Sequence, residues 1–425
     1  MGITFGLDFG TTNSVLAVAQ DGGVEIVDID PSSHSPKTLK SVLFFDEENG
    51  ISVGQEAIDQ YVSYGGMYGR FMQSIKTFLP SKNFTETYVF GMRYEIEDLI
   101  ALILKNIKHR GELHVGHVVD TVVMGRPVVF SEDKELDLLA EERLRTAALR
   151  SGFTNIHFMY EPIAATLAYE TRLGDGEEKL VLMGDFGGGT SDFVVMRLRG
   201  GKHDPSENRK KDILAVGGVY VAGDAFDASI MWHKLTKYFG RGAKVHGSTS
   251  HQILDAPTWI SHTLCQWHMI PQLRDRKTLQ IIRSLRGVSE QDRKSLANLH
   301  TLIIENLGYM LFRGIEKAKR ELSEHESSTI EFSEKGLEIR EVITRDEFEV
   351  LANDKFEKID TCVSETLIRA GIVPDDIDLV LLTGGSSFIP KIERMFSQKF
   401  GKKKLLPIDA FTSVAFGLGL HASMY

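Results

Sequence analysis

The turn Asp8-Phe9-Gly10-Thr11-Thr12 recurs as Asp185-Phe186-Gly187-Gly188-Gly189-Thr190, and this repetition restricts the fold more than any other feature of the 425 residues. Apolar runs with strand character flank both copies, residues 3–7 and 15–18 around the first, 180–183 and 193–196 around the second. Each copy therefore reads as a β-hairpin closed by a glycine turn. A turn without side chains lets backbone N–H groups approach an anion, and the neighbouring threonine hydroxyls add donors. A carboxylate at the start of the turn is repelled by phosphate, but it can hold a hydrated Mg2+ that bridges to phosphate, because Mg2+ keeps its waters and takes oxygen ligands. Two such hairpins facing each other would clamp one nucleoside triphosphate. One copy alone is as readily an ordinary hairpin, since turns recruit glycine freely. Two copies at similar depth in two halves of a chain are harder to dismiss.

Other nucleotide sites fail on sequence. The D-F-G triplet occurs in protein kinases, but no H-R-D-x-x-x-x-N or V-A-I-K accompanies it, and no G-x-x-x-x-G-K-[ST] loop is present. Hydrophobic residues make up 42% and charged residues 25%, an ordinary globular balance for two or more domains. The net charge of −10, from 49 basic and 59 acidic residues, argues against nucleic acid or an anionic membrane as the main partner. The short runs Lys402-Lys403-Lys404 and Arg209-Lys210-Lys211 read as solvated surface. No export signal is visible, and no apolar stretch approaches the roughly 18 residues of a membrane span. Two cysteines far apart, Cys265 and Cys362, fit a reducing compartment, so a cytoplasmic protein is expected.

Along the chain, residues 95–109 carry apolar residues at Ile96, Leu99, Ile100, Ile103 and Ile107, the stripe of an amphipathic helix. A short strand at 121–125 ends at Arg126-Pro127, a helix is expected over 132–150, and Ala164, Ala165 and Ala168 make 161–169 a segment able to pack closely on another helix. The charged loop 173–179 is the expected boundary, because the strand series restarts after it. The second half repeats the plan: hairpin, polar excursion over 199–212, strand to Val216, glycine turn, and helix from Ala225. Residues 239–299 have little strand character and hold Trp259 and Trp267. Helix returns over 302–322, a strand at 379–382 runs into Thr383-Gly384-Gly385-Ser386-Ser387, and a helix is expected over 412–422. Two similar β-rich halves suggest a duplicated α/β fold with a nucleotide in the cleft between them.

Three further segments carry a family resemblance: Glu161-Pro162-Ile163-Ala164-Ala165-Thr166-Leu167-Ala168-Tyr169, Lys317-Ala318-Lys319-Arg320-Glu321-Leu322-Ser323, and Leu382-Thr383-Gly384-Gly385-Ser386-Ser387-Phe388-Ile389-Pro390. With the two hairpins, and in this order, they resemble the ATPase domain of the 70-kDa heat-shock (DnaK-type) chaperone family, and most of all its short bacterial members. The resemblance runs from residue 6 to about residue 420. It implies the duplicated actin-like (ribonuclease H-like) ATPase fold, two α/β lobes around a nucleotide cleft. Lobe I would be residues 1–178, with helix 411–425 returning to it. Lobe II would be 179–410, with an enlarged outer subdomain at about 228–350.

By the same resemblance, Gly10, Thr11, Thr12 and Asn13 would bind phosphates from the first lobe, and Gly187, Gly188, Gly189 and Thr190 from the second. Asp8 and Asp185 would hold Mg2+ through its waters. Asp192, with Asp8 and Thr190, would order the attacking water or a monovalent cation such as K+. Lys76 and Glu161 match the family's catalytic lysine and the glutamate near the metal. Glu316, Lys319, Arg320 and Ser323 match its adenosine-binding helix, and Gly384, Gly385 and Ser386 the turn against ribose and α-phosphate. From the residues alone, Lys76 is a solvated lysine on a surface helix, Glu161 a cap before Pro162, and Lys319 with Arg320 a basic helix face. The implied activity is slow ATP hydrolysis to ADP that changes the lobe angle, with a client or co-chaperone protein as partner.

The chain departs from the family in several places. Phe388 stands where the family has an arginine that stacks on adenine, a role an aromatic ring can take. Two extra residues precede Ala415, which leaves Asp409 without an assigned role, and only Pro127 is legible of the family's relay toward its substrate domain. To Tyr425 the sequence contains no apolar linker and no β-rich peptide-binding region, so cycling by a tethered clamp is not expected of these residues alone. The segment 239–299 makes the outer subdomain roughly 50 residues longer than the resemblance predicts, far beyond an ordinary loop. Its His262, Cys265 and His268 fan across a helix too widely for a good zinc face, so packed helix is the default. A filament-forming actin-like ATPase and a small-molecule kinase of the same fold remain open alternatives.

Overall fold

The structure, a computed structural model, describes residues 2–64, 69–201, 209–247, 252–409 and 412–423. The centre of the polar excursion (202–208), the side chains of Arg209 and Lys210, residues Ala410 and Phe411 at the expected start of the last helix, and Tyr425 lie outside the described residues.

Two mixed sheets form the two lobes. The first contains β1 (Thr4–Phe9), β2 (Asn13–Gln20), β3 (Gly23–Ile26), β4 (Thr121–Arg126) and β5 (Asn155–Tyr160), in the order β5-β4-β1-β2-β3. The second contains β6 (Glu178–Phe186), β7 (Ser191–Arg199), β8 (Ile213–Val219), β9 (Leu379–Thr383) and β10 (Leu405–Pro407), in the order β8-β7-β6-β9-β10. Read outward from their leading strands, the sheets match. In each, an antiparallel hairpin continues into a third antiparallel strand on one side, and two parallel strands extend the other. This is the duplicated actin-like fold the sequence suggested.

The central strands read as apolar runs because both faces are covered, with Phe5, Leu7, Val122 and Met124 fully buried in the first sheet and Val181, Leu182, Val194 and Val195 in the second. The helix Ile96–Val115 covers one face of the first sheet, starting at Glu95, whose backbone N–H donates to Asp98 at 2.9 Å. It runs six residues past the expected end. Gly111 does not end it: a Cβ there would lie 2.7 Å from the Phe5 ring, so the glycine marks helix against sheet. The expected helix over 302–322 is instead two helices, Glu290–Ile304 and Gly308–Glu324, separated by Asn306 in the left-handed region at φ 54°.

The last helix, Ser413–Ala422, lies on the first sheet and against the helix Glu161–Glu170. Small residues permit both contacts. A Cβ on Gly6 would lie 2.3 Å from the Gly419 nitrogen, and one on Gly417 would lie 1.8 Å from the Ala164 carbonyl oxygen. The alanines of 161–169 thus serve the close packing their size suggested.

The long inserted segment is ordered by the second lobe's core. Ile260, Leu264, Ile270, Leu273, Leu296 and Leu299 are buried in one cluster with Phe226, Leu311 and Ile315. It has more strand character than expected, a small hairpin pairing Lys244–His246 with Ile253–Asp255. Above the cleft the lobes touch. The Tyr61 hydroxyl donates to the Asn306 carbonyl, and Tyr309 packs its ring against Tyr61 at 5.5 Å and Phe71 at 4.7 Å. If helix docking depends on these glycines, Gly417→Ala will lower stability by about 1–3 kcal/mol, as forced overpacking does. An unchanged urea midpoint would contradict this docking.

Candidate functional site

Both glycine turns close the same way. The Gly10 N–H donates to Asn13 O and the Gly187 N–H to Thr190 O, each at 3.0 Å. A Cβ on Gly10 would lie 2.2 Å from Asn13 O, so the turn excludes any other residue there. Turn carbonyls are tied back into each lobe: Gly10 O accepts from the Ser41 hydroxyl at 2.8 Å, and Gly188 O from the Asp224 N–H at 2.8 Å. The turns also meet. A Cβ on Gly188 would lie 2.7 Å from Thr12 Oγ1, and one on Gly189 would lie 3.6 Å from Thr11 Oγ1. They border one cavity of about 840 Å³ between the lobes, lined also by Asp8, Asn13, Lys76, Glu161 and Asp185.

The floor of this cavity is acidic. Asp185 stands directly opposite Asp192 in the β6/β7 register, a like-charge pair that costs stability unless a cation or proton offsets it. Asp8 is the last residue but one of the equivalent strand of the first lobe, and Glu161 begins the helix after β5. Lys76 is the counter-charge, its ammonium 2.8 Å from Glu161. With 7% of its side chain exposed it is no surface lysine, and Tyr160, not Glu161, stands at the helix N-cap; Glu161 pairs with Lys76. The Lys76 turn, Ile75–Phe78, follows Ser74 at φ 49° and is held below by Arg143, whose guanidinium donates to Leu79 O at 2.9 Å and Ser81 O at 2.8 Å. Asp192 accepts from the Thr190 hydroxyl at 2.7 Å and from the Val128 N–H of the other lobe at 2.8 Å.

Burial and then the Glu161 charge push the Asp192 carboxyl up to about 7 despite these hydrogen bonds. The same two causes raise Asp8 and Asp185. Four carboxylates around one ammonium leave the floor short of positive charge.

The other end of the cavity is lined by Glu316, Lys319, Arg320 and Ser323, one face of the helix Gly308–Glu324, and by Gly384, Gly385, Ser386 and Phe388 across from it. Lys319 is not a solvated basic face: its ammonium lies 2.8 Å from Asp227 and 3.1 Å from Gly223 O. Gly384, at φ 83°, could not carry a side chain, since a Cβ would lie 2.2 Å from Phe186 O. Phe388 is 56% exposed and borders the cavity. Asp409 braces the last helix, its carbonyl accepting from the Thr383 and Ser413 hydroxyls and its carboxylate from the Thr412 N–H.

Several lining residues were not found in the sequence. Asp224 and Asp227 lie in the helix Gly223–Ile230 just after β8, which continues to Val219 through the glycines expected to turn after Val216; burial raises both carboxyls, to about 7 and about 6. Lys40 and Arg313 gave none, being single basic residues on ordinary elements. Arg126, beside the expected Pro127, pairs with Asp137 at 2.9 Å and with Glu141, and lies over the Phe130 and Tyr160 rings. Trp267, in the long inserted segment, packs against the second lobe's core and also lines the cavity. His262, Cys265 and His268 have separate surroundings: His262 stacks on Trp232 at 4.5 Å, His268 packs edge-on to Phe78, and burial pushes the Cys265 thiol up to about 12.

The family model for Hsp70 protein matches residues 4–256 and 308–425. Among curated proteins, the chain is similar to the chaperone proteins DnaK of Thermotoga petrophila, Thermosipho melanesiensis and Thermotoga maritima. Each is 25% identical over 99% of this chain. The chain spans 59% of the length of these relatives. With matching segments across most of its length and in the order found here, the chain belongs to the Hsp70 protein family.

Proposed function

We propose that the chain binds Mg-ATP between its lobes, hydrolyses it slowly, and uses the bound nucleotide to set the lobe angle as a chaperone-class switch. The observation that carries this reading is the approach of Gly188 to Thr12, two backbone-lined turns meeting over an acidic floor. In it, Gly10, Thr11, Thr12 and Asn13 grip the phosphates from one side and Gly187, Gly188, Gly189 and Thr190 from the other. Glu316, Lys319, Arg320, Ser323, Gly384, Gly385 and Ser386 hold adenosine, and the exposed Phe388 ring is offered to the base. Residues 1–178 form lobe I and 179–410 lobe II, with an outer subdomain at about 228–350 and the last helix returning to lobe I.

The donor chemistry fits a hydrated divalent cation. The acidic residues are hard oxygen donors, and among the described residues no three acidic, histidine or cysteine side chains converge as direct ligands. Asp8 and Asp185 would hold Mg2+ through water. When bound, the metal supplies charge neutralisation at the phosphates. Asp192 and the Thr190 hydroxyl, already hydrogen-bonded together, orient the attacking water or a monovalent cation. Lys76, anchored by Glu161, places its ammonium where charge grows on the transferring phosphoryl group. No covalent intermediate is needed, because positioning and charge stabilisation account for most phosphoryl-transfer catalysis. ATP contacts both lobes, so its conversion to ADP weakens the cross-lobe grip. Proteins, as clients or co-chaperones, are the proposed partners. No described helix is long and apolar enough to cross a membrane, and with two unpaired cysteines the proposed location is the cytoplasm.

Steady-state Mg-ATP hydrolysis tests this reading, with a slow rate independent of protein concentration expected. Lys76→Ala should keep ATP binding and lose hydrolysis by about 10²-fold or more, the scale of losing one aimed charge-stabilising donor. Unchanged turnover would remove Lys76 from the mechanism. Turnover only above a threshold protein concentration would favour a filament, and turnover only with an added hydroxyl acceptor would favour a kinase.

The crowded carboxylates also predict a pH dependence. Raised values mean that the folded, nucleotide-free protein holds more protons than the unfolded chain between about pH 4 and pH 7, so stability falls as pH rises through that window. The melting temperature without Mg2+ should drop from pH 5 to pH 8, and Asp192→Asn should flatten the slope. A melting temperature that rises over this range in the wild type would contradict the assigned excess of negative charge.

A further inference from the structure

The family match omits residues 257–307, yet part of that segment lies at the candidate site. The helical turn Trp267–Arg274 is anchored in the second lobe by Ile270 and Leu273, both almost fully buried, and a Cβ on Gly308 would lie 2.9 Å from Ile270. At its start, Trp267 lines the same cavity as Asp224, and the Asp224 N–H holds the carbonyl of Gly188 in the second glycine turn at 2.8 Å. The next residue reaches the other lobe. The His268 ring stands edge-on to Phe78, centroids 5.4 Å apart and planes at 86°. Phe78 is the last residue of the turn that carries Lys76, and its other neighbour is Phe84 at 4.6 Å.

The Lys76 turn is therefore held from two sides. Its own lobe supplies the Arg143 hydrogen bonds and the buried Leu79. The inserted segment supplies a ring from the opposite lobe. The turn needs such support, because Ser74 before it adopts a left-handed conformation that a non-glycine residue takes only when its surroundings enforce it. We propose that His268 is a positioning residue for Lys76, a cross-lobe brace that sets the ammonium against Glu161 when the lobes close. This rests on the ATPase reading, which it deepens by coupling lobe closure to assembly of the catalytic lysine.

The brace acts through ring shape. His268 Nδ1 is buried without a hydrogen-bond partner, and burial alone keeps the imidazole neutral, pushed down to about 4. Phenylalanine at this position therefore preserves the edge-to-face contact and removes an unpaired nitrogen, whereas alanine removes the contact.

The test is single-turnover Mg-ATP hydrolysis by the full chain, in parallel with amide hydrogen exchange of residues 76–79 without nucleotide. His268→Ala is expected to slow hydrolysis about tenfold, near the upper end for loss of one aromatic pair. His268→Phe should restore the wild-type rate, Phe78→Ala should match His268→Ala, and the double alanine variant should be no slower than either. Exchange at 76–79 should quicken in His268→Ala and return to normal in His268→Phe. Unchanged hydrolysis in His268→Ala, or no rescue by phenylalanine, would overturn the proposal. If the wild type hydrolyses no ATP, the ATPase reading falls and catalytic positioning with it. The exchange data then decide the brace alone, which faster exchange in His268→Ala supports and unchanged exchange overturns.

Discussion

The organisation of this molecule depends on the meeting of two bare backbone turns, Gly188 of one lobe against Thr12 of the other. The proposed phosphate clamp needs N–H groups on two sides and no side chains between them, which glycine turns allow. Nothing apolar holds the lobes together at this point. Their relative position is instead set around the cleft by the helix Glu161–Glu170, which packs on β6 and β7 of the second sheet, by the Val128 to Asp192 hydrogen bond, and by the aromatic contacts of Tyr61, Phe71 and Tyr309. A cleft walled by polar groups and hinged on one apolar cluster, where Ile163 and Leu418 of the first lobe meet Val181, Met183 and Leu381 of the second, can change its angle when its ligand changes.

The buried acidic floor works against the stability of the empty protein. Asp185 faces Asp192 across a strand pair, Asp8 lies close by, and Lys76 is already engaged by Glu161. An arrangement that carries uncompensated charge in a folded core marks a place where function has overridden packing. In the proposed function the compensation is external, a cation and its phosphates, which would link occupancy of the cleft to the closed shape.

Much of this was legible in the sequence because glycine and alanine have few other reasons to be where they are. The doubled hairpin gave the duplication, and Ala164, Ala165 and Ala168 gave the close packing that Gly417 completes. The stripe from Ile96 to Ile107 did not show that its helix continues past residue 109, over Gly111 packed on the sheet, and the run through 302–322 hid the break at Asn306. Lys76 and Lys319 read as surface residues because a sequence does not state which carboxylate will lie 2.8 Å away; Glu161 and Asp227 are 85 and 92 positions distant. Trp267 and His268 were illegible for a related reason. They belong to a segment outside the family pattern, and only the folded chain brings them beside Asp224 and Phe78.

The central claim is that both turns grip one triphosphate. Calorimetric titration of Mg-ATP into the wild type and into Thr12→Val and Thr190→Val tests it most directly, because each variant keeps the side-chain shape and removes a hydroxyl donor from one turn. The account predicts that each substitution alone weakens binding by about tenfold or more, the worth of a hydrogen bond to a charged group. Wild-type affinity in either variant would mean that one turn takes no part, and the clamp would be contradicted.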